Sequence, residues 1–329
     1  MKNFLVLSIT LFFFVFLAEI SLRVFYPLNL TGDISNYEYD ENLGIKLKDN
    51  LNSVYITDHR QEVITNKKGT LNYESEFSNY DNLIITIGDS NTQGVGVPFD
   101  SSYPFVLYTQ LNSEDKESWG VVNMALAAYG TKQAILVYKI KYKIFMKPKF
   151  VTYLADKNDY MGDLFFDKGY KHMHLVKNSP RFFGYAEILG YVSQKIELIK
   201  RIKYILSETK LSQNYNKVEE NFEKVFLNNY AKKLLEFNNY LRNNQISFIF
   251  AWNSLDENKN NVCSSEYNFV KNWAKQNNII FADWCPNFKK IANLSNAIPV
   301  INDHSSSHAR PWINRIIAQS FRDKILNHK

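Results

Sequence analysis

Only two cysteines, Cys263 and Cys285, occur in the 329 residues. A chain this poor in cysteine is not a small scaffold held by disulfides. The spacing of the pair has no metal-ligand signature, so it reads as one disulfide in an oxidising compartment or as two separate thiols. Neither sign of charge dominates: Lys and Arg number 39 against 33 Asp and Glu, a formal net charge of +6. A balance this modest gives no reason to expect a nucleic-acid partner, and the local excess at Lys139, Lys141, Lys143, Lys147 and Lys149 reads as a solvated helix end. No Gly-Lys-Ser or Gly-Lys-Thr follows the glycine-containing stretch at 88–96, which excludes a phosphate loop. The Gly-x-Ser-x-Gly elbow is also absent, because position 92 is Thr. With 45% apolar and 22% charged residues, the chain is not disordered. It is long enough to bury a full core as one large domain, with or without an insertion.

The longest apolar run lies at the start. Phe4 to Leu17 is almost wholly apolar, opened by Lys2 and closed by Glu19 and Arg23. With Ala18, Ile20 and Leu22 it reaches the lower end of a bilayer span. Only isolated small residues follow, so the expectation is an uncleaved membrane-spanning anchor over 1–26, with a cleaved signal peptide as the alternative. Lys2 ahead of the run points to a cytoplasmic N-terminus and a body on the extracytoplasmic side, periplasmic or extracellular.

After a polar lead-in at 27–80 with no strong period, short β-rich runs alternate with helical stretches. The runs are Leu83 to Ile87, Gly120 to Asn123, Phe150 to Leu154, Ile246 to Trp252 and Ile279 to Ala282. The helical stretches are Ser102 to Leu111, Thr131 to Phe145, Val218 to Asn243, Glu266 to Gln276 and Pro311 to Leu326. Apolar strands separated by helices predict an α/β chain: a doubly wound parallel sheet in three α/β/α layers, with sites at the carboxyl ends of the strands. The distance from Leu154 to Ile246 exceeds one crossover, so an insertion, helical in its second half, is expected at about 163–217. His172 and His174 inside it have no third ligand in sight and read as surface loop.

The strand at Leu83 runs straight into Gly88-Asp89-Ser90. A serine there sits where backbone N–H groups face incoming negative charge, as an oxyanion requires, although capping or turn chemistry also uses these residues. A nucleophilic serine needs a base and a group to orient it. "VINDHSSSHARPWINRIIAQ" supplies Asp303, His304 and His308 on a predicted loop feeding the last helix, which Pro311 opens.

These residues resemble the SGNH/GDSL hydrolases, in four blocks that span most of the chain beyond Leu83. "GDSNTQGVGV" is similar to the first block, which implies Ser90 as nucleophile and its N–H as an oxyanion donor. "VVNMALAAYGTKQA" is similar to the second; the family's glycine five residues after the asparagine is Ala128 here, whose N–H would be the second donor, and Gly130 lies nearby. "YLADKNDYMGD" is similar to the third, implying Asn158 as the third donor, with Asp156 where the family has glycine. The last block departs from Asp-x-x-His. Counting back from Ala318, His308 holds the histidine's place, yet Ser305 stands three before it and Asp303 five before. The resemblance implies His308 as base with Asp303 behind it; His304 is the alternative base.

Membership of this kind would carry the family's flavodoxin-like fold over 81–329 and a serine hydrolase acting on esters. It would be an esterase or O-acyltransferase on acyl groups of a cell-envelope glycan, needing neither metal nor organic cofactor. Tyr129, Tyr160 and Trp312 are candidates to stack on sugar rings, or for packing. The alternatives are a catalytically inactive relative that binds glycan or serves envelope assembly, and a plain lipid or thioester hydrolase.

Overall fold

A strand run with no polar face needs cover on both sides, and the computed structural model shows how this chain provides it. It describes residues 2–25, 36–56, 60–114, 116–127, 129–167, 198, 222–256, 262–292, 299–303 and 306–328. The chain divides into two compact units, Met1–Thr31 with Lys177–Asn221, and Gly32–Val176 with Phe222–Lys329.

In the first unit the N-terminal apolar run forms α1 (Lys2–Phe25). Its large apolar side chains, from Phe4 to Phe25, are exposed, and the Glu19 carboxylate accepts the Leu198 N–H at 3.1 Å. Among the described residues no helix is long and apolar enough to cross a membrane, so the expected transmembrane anchor is not supported. Ser8 and Thr10 interrupt the run and Glu19 closes it, leaving it short of the ~20 consecutive apolar residues that span a bilayer.

The second unit opens with two small hairpins where the sequence shows no period. β1 (Tyr37–Glu38) pairs antiparallel with β2 (Lys46–Leu47), and β3 (Asn52–Ile56) with β4 (Arg60–Ile64). Leu43, Ile45, Leu47, Val63, Leu71 and Phe77 reach the core from turns and short strands, which is why no regular alternation betrays them. The Leu71 N–H donates to the Asn123 carbonyl, and the Asn72 carboxamide bonds both the Val121 carbonyl and the Asn123 N–H. This segment thereby occupies a sheet edge that would otherwise be open for pairing.

Among the described residues five strands make the central sheet: β5 (Asn82–Gly88), β6 (Trp119–Asn123), β7 (Phe150–Ala155), β8 (Ser247–Trp252) and β9 (Ile280–Phe281). Their order is β6-β5-β7-β8-β9, and every pair is parallel. All of β6 and β7 is buried.

Among the described residues the α-helices of this unit are α2 (Ser90–Gln93), α3 (Tyr103–Glu114), α4 (Thr131–Lys141), α5 (Asp159–Asp167), α6 (Phe222–Phe226), α7 (Lys232–Asn243), α8 (Ser265–Gln276), α9 (Cys285–Ala292) and α10 (Pro311–Asn327). α3 packs on β6 and on α10; α4 packs on β5; α7 lies on β8 and α8 on β8 and β9. Helices thus pack against strands across the width of the parallel sheet, as expected where each crossover to a parallel strand is right-handed. The strand order reverses direction between β5 and β7, and the crevice beyond their carboxyl ends is where doubly wound sheets bind ligands.

Cys263 and Cys285 form a disulfide, with Cα atoms 5.9 Å apart. The stretch expected as a loop before the last helix is instead a hairpin, β10 (Val300–Asp303) against β11 (Ser306–Ala309), separate from the central sheet. Val300 and Ile301 are its only consecutive strong β-formers, too short a run to read as a strand.

Candidate active site

The end of β5 builds the first part of the site. Gly88 has φ +155°, and a Cβ there would lie 2.1 Å from Thr92 Oγ1 and 3.2 Å from the Leu154 carbonyl. Only glycine lets the strand turn this tightly into α2. Asp89 caps that helix: Oδ1 accepts the Asn91 N–H at 2.9 Å and Oδ2 accepts the Ser90 hydroxyl at 3.2 Å. Ser90 is 8% exposed, and Gly94, at φ +87°, ends the helix.

The loop after β6 is pinned to this turn. Asn123 Nδ2 donates to the Thr92 carbonyl at 3.0 Å, Asn123 Oδ1 accepts the Ala125 N–H at 3.1 Å, and Gln93 Oε1 accepts the Ala127 N–H at 2.6 Å. Ala128, the expected second oxyanion donor, lies outside the described residues. Gly130 answers to packing: a Cβ on it would meet the Asp163 N at 2.4 Å and the Asp159 carbonyl at 2.5 Å.

Beyond β7, three carboxyl groups gather beside the serine, Asp89 and Asp159 buried and Asp156 half-buried. Asp156 Oδ2 accepts from Asn91 Nδ2 at 3.2 Å and from Asn253 Nδ2 at 2.6 Å, and its Oδ1 accepts the Asn158 N–H at 3.3 Å. The Asn158 carboxamide also hydrogen-bonds the Asp89 carboxylate, while its Oδ1 is buried with no hydrogen-bond partner. Asp159 accepts from the Tyr153 hydroxyl and from the Asp156 N–H. Desolvation raises all three acids from their ordinary values, and Asp89 is raised further by the charge of Asp156. Among the described residues no group of His, Cys, Asp and Glu is arranged to hold a metal ion.

His308 comes to this cluster on β11. It is 4% exposed, and burial pushes its imidazole down to about 4. The next residue, Ala309, donates its N–H to Asn91 Oδ1 at 3.3 Å, so the strand carrying His308 is tied to the residue after Ser90. Asp303 lies on β10 opposite Ser306, while Ile301 faces His308 in the register. The Asp303 side chain, His304 and Ser305 lie outside the described residues.

The sequence pointed to Ser90, Asn158 and His308, and the fold brings all three segments to the carboxyl ends of β5 and β7. It did not point to Asn91 or Asn253 as participants, and it registered Asp156 only as a departure from glycine. The available signal was position: Asn253 directly follows the last residue of a parallel strand, where sites form. Tyr129 is not a sugar platform. It is buried, and its hydroxyl donates to the Ile45 carbonyl at 2.7 Å. Tyr160 packs against the core and Trp312 stacks on Phe288 at 5.9 Å. His172 and His174 lie outside the described residues.

No family model and no curated protein matches this chain. Solved structures that match include a lipolytic protein of the G-D-S-L family from Desulfitobacterium hafniense, 12% identical over 74% of this chain and 99% of that one, with a TM-score of 0.40. An acetyl xylan esterase from Geobacillus stearothermophilus is 15% identical over 75% of this chain and 95% of that one, with a TM-score of 0.44. A GDSL-like lipase from Parabacteroides merdae is 14% identical over 74% and 95%, with a TM-score of 0.44. Likenesses this distant decide neither the fold nor the chemistry of the site, which rest on the geometry above.

Proposed function

We propose that the protein is a serine-dependent ester hydrolase of the SGNH/GDSL type, with Ser90 as nucleophile and His308 as base. The observation that carries this reading is the convergence of Ser90, Asn158 and the His308 strand beyond β5 and β7, at the point where the strand order reverses. A histidine held near 4 is neutral at physiological pH and so is free to take a proton.

The Ser90 proton passes to His308 as Oγ attacks the ester carbonyl. The oxyanion is held by the backbone N–H groups of Ser90 and Ala128 and by the Asn158 carboxamide. His308 returns the proton to the departing alcohol, leaving an acyl group on Ser90. Water then repeats the sequence and releases the acid, or a sugar hydroxyl accepts the acyl group. In the resting geometry the Ser90 hydroxyl points to Asp89, so substrate entry has to turn it away. Asp303 is the orienting group behind His308.

The substrate class we propose is the O-acyl group of an envelope glycan. The Cys263–Cys285 disulfide supports work outside the cytoplasm, since such bonds persist in oxidising compartments. The test is release of p-nitrophenol from its acetate ester by the full chain. Turnover should vanish in Ser90→Ala and His308→Ala, fall about a hundredfold in Asn158→Ala, and survive His304→Ala. A wild type no faster than Ser90→Ala removes the water-accepting hydrolase and leaves a strict acyltransferase or the catalytically inactive, glycan-binding relative.

A further inference from the structure

We propose that Asn91 is a positioning residue whose carboxamide sets the His308 strand relative to Ser90, and that Asp156 fixes which way that carboxamide faces. The proposal rests on the serine-hydrolase reading and deepens it. Asn91 is the residue after Ser90, and Ala309 is the residue after His308. The bond from the Ala309 N–H to Asn91 Oδ1, at 3.3 Å, therefore links the two proposed reacting residues one step removed from each.

A carboxamide can be turned end for end, but here its surroundings allow one orientation. The Ala309 N–H can only donate and the Asp156 carboxylate, when ionised, can only accept. Asn91 must then direct its oxygen to Ala309 and its nitrogen to Asp156, as it does at 3.3 and 3.2 Å. Asp156 is itself held from the other side by Asn253 at 2.6 Å and by the Asn158 N–H at 3.3 Å. The chain of bonds thus joins the ends of β5, β7 and β8 to the β11 strand. Asn91 and Asn253 are 4% and 3% exposed, and exclusion of water strengthens each bond and raises the penalty for breaking one.

The His308 strand needs such a tie. β10 and β11 form a two-stranded sheet of their own, and an isolated hairpin is marginal without packing against other elements. Alanine or leucine at position 91 would leave the Ala309 N–H without its acceptor and take from the Asp156 carboxylate one donor, leaving it Asn253 and the Asn158 N–H. Glutamine would overreach by one methylene, and aspartate would set two acceptors against each other.

The experiment is an exchange of the two groups in the full chain: Asn91→Asp, Asp156→Asn, and both together. In Asn91→Asp a carboxylate faces Asp156; in Asp156→Asn an NH2 faces other donors. Each single change should lower kcat for p-nitrophenyl acetate about a hundredfold, the scale of a small misplacement of reacting groups, with KM little altered. Each should also shift the Ala309 amide and His308 imidazole resonances. In the double variant the introduced carboxylate again accepts the Ala309 N–H and the introduced carboxamide donates to it. Asn253, whose Oδ1 has no hydrogen-bond partner, can turn to accept from it.

Recovery of most of the lost kcat in the double variant supports the proposal. If kcat is unchanged in both single variants, or if the double variant is no better than the worse single one, it is overturned. A purely structural role would lower the melting temperature without separating kcat from KM. Should the wild type lack Ser90-dependent turnover, the hydrolase reading fails separately; His308 resonances unmoved by Asn91→Asp would then overturn the positioning role on their own.

Discussion

The Ser90 hydroxyl donates to the carboxylate of Asp89, its immediate neighbour, at 3.2 Å. That carboxylate also accepts the Asn91 N–H and a bond from Asn158. Three hydrogen bonds favour its charged form, yet burial and the charge of Asp156 outweigh them and raise it. The turn that presents the serine is therefore built around an acid whose ionisation is opposed by the fold.

Asp89→Asn should consequently stabilise the protein at alkaline pH. A folded-state value raised above the ordinary one means that the unfolded chain loses its proton first, so the contribution of Asp89 to stability declines as pH rises through the carboxylate range. Asparagine caps a helix as well as aspartate does. Urea midpoints at about pH 4 and about pH 8 should show the variant gaining on the wild type at the higher value; an equal difference at both would contradict the assignment.

His308 acts with the opposite sign. Its folded value of about 4 lies below the ordinary 6.5, so on acidification the unfolded chain takes up the proton first and stability falls from about pH 6.5 down to about pH 4, by about 3 kcal/mol. His308→Ala should lack this slope, after allowance for the altered packing. For the proposed reaction, the acid limb of kcat/KM should lie near pH 4. A limb at the ordinary histidine value would show that the imidazole is solvated in the working enzyme.

Gly88→Ala should cost more than an ordinary buried substitution. The new methyl meets Thr92 Oγ1 at 2.1 Å on a backbone at φ +155°, so the α2 turn must move and carry Ser90 with it. Stability is expected to fall by about 2 kcal/mol or more, with kcat falling and no recovery in Gly88→Ala with Thr92→Ala, because the strained φ remains. Wild-type kcat in the single variant would show that the turn tolerates a side chain.

Reduction of Cys263–Cys285 should destabilise the second unit without abolishing its fold. The bond closes a loop over a sequence separation of 22, for which chain entropy gives about 3 kcal/mol. Melting temperatures with and without a thiol reductant, compared with a Cys263→Ser, Cys285→Ser double variant, measure it. If reduction leaves the melting temperature unchanged, the bond contributes nothing to the folded state.

Much of the sheet was legible in the sequence because strands buried on both faces are apolar throughout. Phe150 to Leu154 and Ile246 to Trp252 announce themselves in this way and reappear as β7 and β8. The 36–80 segment was not legible, because residues such as Leu43 and Ile45 reach the core from turns where no period applies. The N-terminal apolar run was legible as a helix, whereas the anchor inferred from it is not supported.

For the site the division is similar. Gly88-Asp89-Ser90 after a strand and the Asp303, His304 and His308 stretch ahead of the last helix stand out by residue type and position, while Asn158 and the choice of His308 over His304 came from the resemblance to the SGNH/GDSL blocks. Those signals are local, and the sequence by itself determined them along with the alternation that builds the sheet. Tertiary structure alone decided that Asn91 answers to Ala309 and Asp156, that Asn253 closes the same network, and that Tyr129 faces Ile45. A hydrogen bond between residues 218 positions apart leaves no trace in local propensity or spacing; it exists because strand order brings those ends together, and burial then obliges each polar group to find a partner.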